Sequence, residues 1–439
     1  MRIGLFTDFY RPSINGVVFV VESLKRELEA LGHEVFVFCP AKQIFPDRKD
    51  EKLNDNGHII RFPSLKGAFF DDYDTSIFFP PYELAKIKKL NLDVIHVFTP
   101  SQVGLIGVRA AYKYDIPFVM QHSTDMYEYV EHYPAVLPGI LALGGIIFPL
   151  SVKLDGRDLK EIVKLYRPHR GVTKWNRYIV EKVITMLYSK ADAVIALSKK
   201  SQEQLGSWMN DDYNYQIDLM PNGVNALPRP TEAQLTEFRK AWGVNKTDEV
   251  FGFVGRLAEE KNLPILIKAF DKYIAKERPK SKLLFVGDFE FRGALEAMAA
   301  DSKYSDRIIF TGAMPREELG VAYEVLDVFC FPSLKDTQGW VLHEAAHASL
   351  PIVIIDQKVS EVVRDGESGV FVKNSPKSMA DGIISLLKSP KKRQDFGAVS
   401  KSLASTFTET NQVKKLEKLY RRIIADSATS SHHDLDLDA

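Results

Sequence analysis

Short apolar runs alternate along this chain with stretches in which apolar positions recur every three or four residues. Ile3–Thr7 is the first run. Val17, Val20, Val21, Leu24, Leu28 and Leu31 then recur at helical spacing, and Gly32 follows as a stop signal. Glu34–Pro40, His58–Phe62, Leu92–Phe98, Pro117–Met120, Ala193–Leu197 and Ile217–Met220 read as further strands, with helices predicted over Val103–Tyr114 and Trp175–Lys190 among them. Their unbroken apolar character suits strands covered on both faces, and the alternation predicts a parallel sheet flanked by helices.

The pattern breaks near residue 222. Asn222-Gly223 is a turn signal, prolines and polar residues follow, and 223–247 reads as a linker with one small helix. A second α/β series then begins, with strands predicted at Val250–Val254, Lys282–Val286, Arg307–Thr311, Val328–Pro332 and Ile352–Ile355, and helices at Leu263–Lys276 and Pro315–Val325. The expected domains are 1–222, 223–410, a helix over 411–426 and a disordered tail over 427–439. A length of 439 residues suits two domains. Ligands of such sheets bind beyond the C-terminal ends of the strands, so two of them facing each other predict a central cleft.

Four strand-to-helix edges carry candidate chemistry. In Phe331–Pro351 (FPSLKDTQGWVLHEAAHASLP) a strand ends at Pro332 and a helix is expected from about Trp340, with Thr337 or Gln338 able to start it. Its free N–H groups, over 338–341, would form an anion site. Glu344 lies deeper in that helix, where its carboxylate suits the vicinal diol of a ribose. In Phe251–Lys261 (FGFVGRLAEEK), Gly255 gives room at a turn, and Arg256 and Lys261 can straddle a diphosphate. Gly16, in TDFYRPSINGV, lets a ligand approach the backbone, and His122 follows a buried strand. Taken singly, each has a plainer reading: a solvated helix residue, surface charges, a helix-entry glycine, a core histidine. Their common position at strand ends favours a site.

Bulk composition narrows the function. The 58 basic residues balance 58 acidic ones, which argues against a nucleic-acid partner. The two cysteines, Cys39 and Cys330, sit in apolar runs and read as buried thiols of a reducing cytoplasm. His343 and His347, four apart, lack a third ligand or an HExxH pattern, and the His432-His433 pair is weak ground for a site, so no metal is expected. Met1-Arg2 leads into too short an apolar run for a signal peptide. The uncharged stretch 134–150 holds three prolines and three glycines, which predicts against a spanning helix. Lys153–Lys190 then carries ten Lys or Arg against four Asp or Glu. An apolar segment beside a basic one suits an anionic membrane surface, and a buried loop followed by a solvated helix face is the alternative.

TDFYRPSINGVV, VGRLAEEKN and DTQGWVLHEAAHASLPIV together resemble glycosyltransferase family 4, the retaining GT-B enzymes, over the chain to about residue 425. The last motif is similar to the family's two carboxylates separated by seven residues, with Asp336 where Glu is usual and Glu344 matching. The resemblance implies a hexosyltransferase with two Rossmann-like domains and a C-terminal helix that crosses back to the first. It implies that Arg256 and Lys261 bind the donor diphosphate and Glu344 the ribose. The backbone of Gln338, Gly339, Trp340 and Val341 would support phosphates and sugar, Gly16 would shape the phosphate end, and His122 would contact sugar or acceptor. It implies no cofactor or metal, the nucleotide-sugar being a co-substrate. Asp336 is one methylene shorter than Glu, which puts its contact with the sugar in question. The N-terminal part and HSTDMYEYVEHY look most like glucosyltransferases acting on diacylglycerol, which implies UDP-glucose, a lipid acceptor and a cytoplasmic enzyme peripheral on the inner face of the membrane. A soluble or polyprenyl-linked glycan acceptor, with mannose from GDP-mannose, is the other enzymatic reading. A catalytically silent sugar-nucleotide binder is a further one, and an oxidoreductase is disfavoured by the missing glycine fingerprint.

Overall fold

A computed structural model describes residues 1–13, 16–41, 55–65, 75–76, 81–127, 141–167 and 171–435. The chain divides into two units, Met1–Gly223 with Glu409–Ala439, and Val224–Thr408.

The first unit holds a seven-stranded sheet of β1 (Arg2–Phe6), β2 (Glu34–Pro40), β3 (Ile59–Phe62), β4 (Val94–Val97), β5 (Phe118–Gln121), β6 (Ala193–Ala196) and β7 (Ile217–Leu219). Its order is β3-β2-β1-β4-β5-β6-β7, parallel at every pairing. The central strands are buried throughout, which is why their sequences are apolar without alternation. Cys39 in β2 is a free, enclosed thiol, pushed up to about 11 by burial.

The strand order reverses between β1 and β4. Asp8, two residues beyond β1, is 3% exposed there. Ser101 precedes the helix Gln102–Tyr114 but makes no side-chain cap. Asp8 supplies the cap instead: its carboxylate accepts from the Val103 and Gly104 N–H groups at 2.8 and 3.4 Å and from the Thr99 hydroxyl at 2.5 Å. Burial pushes this carboxyl up to about 6, against the pull of those three bonds. Asp8→Ala strands two buried N–H groups. It is expected to destabilise the first unit by about 1–3 kcal/mol, read as an earlier first transition in thermal unfolding.

The helix Glu409–Leu435 belongs to this unit. Val413, Leu416, Leu419, Tyr420 and Ile423 form its buried stripe. The Tyr420 hydroxyl lies 2.6 Å from His96 Nδ1 on β4, and Arg422 pairs with Asp218 at 2.9 Å. The helix runs nine residues past Asp426, where a disordered tail was expected from Ser427. No proline or glycine interrupts that stretch, and the Thr429 hydroxyl bonds the Asp426 carbonyl at 2.8 Å, so backbone bonding continues through small polar residues. Residues 436–439 lie outside the described chain.

The second unit holds a six-stranded parallel sheet of β8 (Glu249–Val254), β9 (Ser281–Val286), β10 (Ile308–Phe310), β11 (Val328–Phe331), β12 (Ile352–Ile354) and β13 (Gly369–Phe371), ordered β10-β9-β8-β11-β12-β13. The three-residue edge strand β13 had no apolar run long enough to announce it. Order reverses between β8 and β11, so the loops that follow these two strands leave the sheet side by side. Cys330, in β11, is also free and enclosed.

Candidate active site

β8 ends at Val254, and Gly255 turns the chain with φ +143°, a conformation side chains rarely adopt. A Cβ on the neighbouring Gly287 would lie 1.9 Å from the Gly255 carbonyl oxygen, so the two loops approach backbone to backbone. Arg256 is exposed, its guanidinium 4.7 Å from the Phe289 ring centroid and 3.4 Å from Glu260. The turn Glu259–Lys261 then closes, and Asn262 takes a left-handed conformation at φ +57°. Its side-chain amide donates to the Pro332 carbonyl at 3.2 Å and to Asn374 at 3.0 Å. The loop after β8 is thereby tied to the end of β11.

That tie puts Lys261 against the loop after β11. Lys261 Nζ lies 2.7 Å from Asp336 Oδ1, with both side chains largely enclosed. The two groups are 75 residues apart in sequence. Gln338 is buried, and Gly339 caps the helix Trp340–His347 at φ +65°, without a side-chain cap. The helix begins at Trp340, as expected, with Gly339 and not Thr337 or Gln338 at its cap. A backbone at φ +65° is one that side chains rarely adopt, and a Cβ on Gly339 would also meet Leu342 Cδ1 at 2.7 Å, so glycine suits this cap. Gly339 brings no side chain of its own to this end, and the first N–H groups of a helix carry partial positive charge suited to an anion. A Cβ on Gly255 would lie 3.7 Å from Val341 Cγ1, which sets the first turn of this helix beside the end of β8.

Glu344 stands one turn further in and is 4% exposed. Its Oε1 accepts from Arg316 Nη1 at 2.5 Å and its Oε2 from the Tyr323 hydroxyl at 2.7 Å. Burial and the adjacent carboxylate raise the Tyr323 phenol well above its ordinary range, so it remains a donor. The Arg316 guanidinium lies 5.2 Å from the Trp340 ring centroid. Asn262 closes the motif VGRLAEEKN but was given no role there, and nothing in the sequence pattern singled out Arg316 or Tyr323. Arg316 and Tyr323 come from the connection between β10 and β11 and reach Glu344 only through the fold.

The first unit places its two candidates differently. Gly16 opens the helix Gly16–Ala30, and a Cβ there would meet no atom within 4 Å; Asn15 lies outside the described residues. His122 follows β5 and is 1% exposed. Its Nδ1 lies 3.0 Å from the Tyr188 hydroxyl, and its ring meets Tyr188 and Trp208 edge to face. Burial lowers its pKa, which favours the neutral ring. Its Nε2 has no hydrogen-bond partner among the described residues. His343 and His347 make separate contacts: His343 is enclosed in the core, and His347 bonds the Val224 carbonyl at 2.8 Å. Among the described residues no three His, Cys, Asp or Glu side chains gather as metal ligands.

Two parallel sheets whose strand orders reverse at the site loops are those of a GT-B glycosyltransferase. A sucrose-phosphate synthase from Thermosynechococcus elongatus shares the fold, with a TM-score of 0.69 at 18% identity over 97% of this chain and 99% of that one. Two family models account for most of the sequence: Glycosyltransferase Family 4 matches residues 14–226, and Glycosyl transferases group 1 matches 235–402. The chain belongs to glycosyltransferase family 4 and is a hexosyltransferase. It is similar to the alpha-monoglucosyldiacylglycerol synthase of Acholeplasma laidlawii, 27% identical over 97% of this chain and 98% of that protein. A GDP-mannose-dependent alpha-mannosyltransferase of Corynebacterium glutamicum is 23% identical over 80% of this chain and 72% of its own length.

Proposed function

We propose that this enzyme transfers glucose from UDP-glucose to a diacylglycerol-type lipid at an anionic membrane surface, with retention and without a metal. The observation that carries the chemistry is the meeting of Lys261, Asp336 and the Trp340–His347 helix where strand order reverses in the second unit. When the bond from the anomeric carbon to the diphosphate breaks, negative charge grows on the leaving oxygen. Arg256, Lys261 and the N–H groups at Gln338–Val341 are the donors for it, a task otherwise given to a divalent cation. The acceptor hydroxyl attacks from the same face and gives its proton to the departing phosphate, so no protein base is needed. Asp336 acts through Lys261, which it holds in place. Glu344 takes the ribose diol. Gly16 leaves room at the phosphate end. His122 is the first unit's candidate contact for the sugar or acceptor.

The lipid acceptor is supported by the full-length likeness to a glucolipid synthase and by one surface of the first unit. Along the helix Gly156–Leu165, Asp158, Ile162 and Leu165 face the core. One position later, Leu159, Val163 and Tyr166 are 55, 63 and 48% exposed, and one position later again come the exposed Lys160, Lys164 and Arg167. The Tyr166 hydroxyl bonds the Leu141 carbonyl at 3.2 Å, and Ile146 and Leu150, a few residues beyond Leu141, are also exposed. An apolar strip bordered by cations suits the headgroup boundary of an anionic bilayer. No helix among the described residues is long and apolar enough to cross one. Leu159→Ser with Val163→Ser is expected to weaken partition into vesicles with anionic lipid by roughly tenfold or more. Equal co-sedimentation of variant and parent would remove this support.

The reading is tested by radiolabel transfer in EDTA, with UDP-glucose, UDP-galactose or GDP-mannose against diacylglycerol micelles. Label from UDP-glucose in the lipid phase is the expected result. Label only from GDP-mannose, or only on a glycan acceptor, would replace it with the mannosyl reading that the Corynebacterium relative favours. Donor binding with neither transfer nor donor hydrolysis would mark a silent binder.

A further inference from the structure

The Glu344 carboxylate is enclosed, yet both of its oxygens already have a protein donor. Burying a carboxylate costs several kcal/mol unless partners replace its water. Arg316 and Tyr323 replace it from two separate places, the turn Arg316–Glu318 and the helix Leu319–Val325. Arg316 reaches one oxygen at 2.5 Å and the Tyr323 hydroxyl the other at 2.7 Å. The two donors are immobilised differently. Tyr323 is packed in the core at 1% exposure, and the Arg316 guanidinium lies against Trp340. A carboxylate with one donor on each oxygen cannot rotate without breaking a bond. Each oxygen still has a lone pair to offer. Two parallel acceptors held in one plane match the two adjacent hydroxyls of a ribose.

We propose that Arg316 and Tyr323 are positioning residues that make the site selective for ribonucleotide over 2′-deoxyribonucleotide donors. This rests on the reading of Glu344 as the ribose ligand. The site gains by preorganisation: the carboxylate is desolvated and oriented before the donor arrives, so the donor's diol does not have to order it. A donor lacking the 2′-hydroxyl leaves one fixed acceptor in a buried place without its partner, which a mobile, hydrated carboxylate would tolerate. The pair therefore acts on the difference between two ligands and leaves the reacting atoms untouched.

The test is calorimetric binding of UDP, GDP, ADP and CDP and of their 2′-deoxy counterparts to the full chain, using the tightest-binding base. Wild type is expected to prefer the ribo form by roughly tenfold or more. Tyr323→Phe, which removes one hydroxyl and keeps the ring, is expected to cut that ratio to about threefold or less, mostly by weakening the ribo form. Arg316→Met, which keeps a stem against Trp340, should do the same, and Arg316→Lys should restore part of the ratio. Glu344→Gln is measured alongside. A wild-type preference lost in Glu344→Gln but intact in both Tyr323→Phe and Arg316→Met would overturn this inference alone. No wild-type preference, a preference intact in Glu344→Gln, or no binding of any nucleotide, would overturn the Glu344 reading and this inference with it. A loss of affinity equal for both sugar forms would mark Arg316 and Tyr323 as merely structural and also overturn the inference.

Discussion

Lys261→Ala is expected to lower kcat/KM about 10²–10³-fold, the loss typical of removing one preorganised donor from a developing oxyanion. The Lys261 side chain is 13% exposed, and its ammonium is held at 2.7 Å by Asp336. A cation fixed in a site of low polarity stabilises a leaving diphosphate more than a mobile surface lysine would. The substitution does a second kind of harm, because it takes a cation away from the Asp336 carboxylate beside the place assigned to the diphosphate. Removing that carboxylate as well should relieve the repulsion. The double variant Lys261→Ala with Asp336→Ala is therefore expected to be more active than Lys261→Ala alone, a non-additivity that marks direct coupling. Initial rates of transfer at saturating acceptor measure both. A loss below threefold in Lys261→Ala would show that Lys261 is not the diphosphate's cation. Equal rates for the single and double variants would show that Asp336 does not act through it.

Glu344→Ala is expected to weaken nucleotide binding by about 10²-fold, from the loss of two charge-assisted hydrogen bonds to the ribose. Stability should fall with it. The Tyr323 hydroxyl would be left enclosed without an acceptor, a cost of about 1–3 kcal/mol. Arg316 adds little to that cost, since its side chain is a third exposed and can turn to water. Glu344→Gln keeps an acceptor for one donor and should melt close to wild type while still binding nucleotide poorly. Calorimetric titration with thermal unfolding of both variants separates the two effects. Undiminished nucleotide binding by either variant would place the ribose elsewhere.

Most of the architecture was legible because parallel strands covered on both faces must be apolar throughout. Predicted Glu34–Pro40 and observed β2 coincide, and Ala193–Leu197 and Val328–Pro332 each overrun β6 and β11 by one residue. The exceptions have local causes. β13 is three residues long and lies at a sheet edge, so it needs no long apolar run. The stretch Ser427–Leu435 carries tail-like residues on a helix that earlier apolar positions had already docked. The helix at the acidic motif begins at Trp340 as its pattern predicts, and what the sequence did not show is that Gly339, rather than Thr337 or Gln338, takes the cap in a left-handed conformation.

The candidate site was legible in part, for the same reason. Gly255, Arg256, Lys261, Asp336 and Glu344 follow strand ends in the sequence, and strand ends are where such sheets place ligands. The partnerships among them were not legible. Asp336 stands in the acidic motif, but its ion pair with Lys261 spans 75 residues and needs β8 and β11 to be neighbours. Asn262 ends the motif VGRLAEEKN, but that its amide bridges to Pro332 and Asn374 depends on the fold. Asp8 behaved the same way in the first unit, capping a helix that begins 94 residues later. Periodicity and turn chemistry act between near neighbours, so the sequence by itself determined most of the strands and helices, the two parallel α/β series and which residue types stand at their strand ends. Long-range pairs depend on strand order, which no local signal encodes. Only the tertiary structure decided that Lys261 faces Asp336, that Arg316 and Tyr323 hold Glu344, and that His122 lies enclosed against Tyr188.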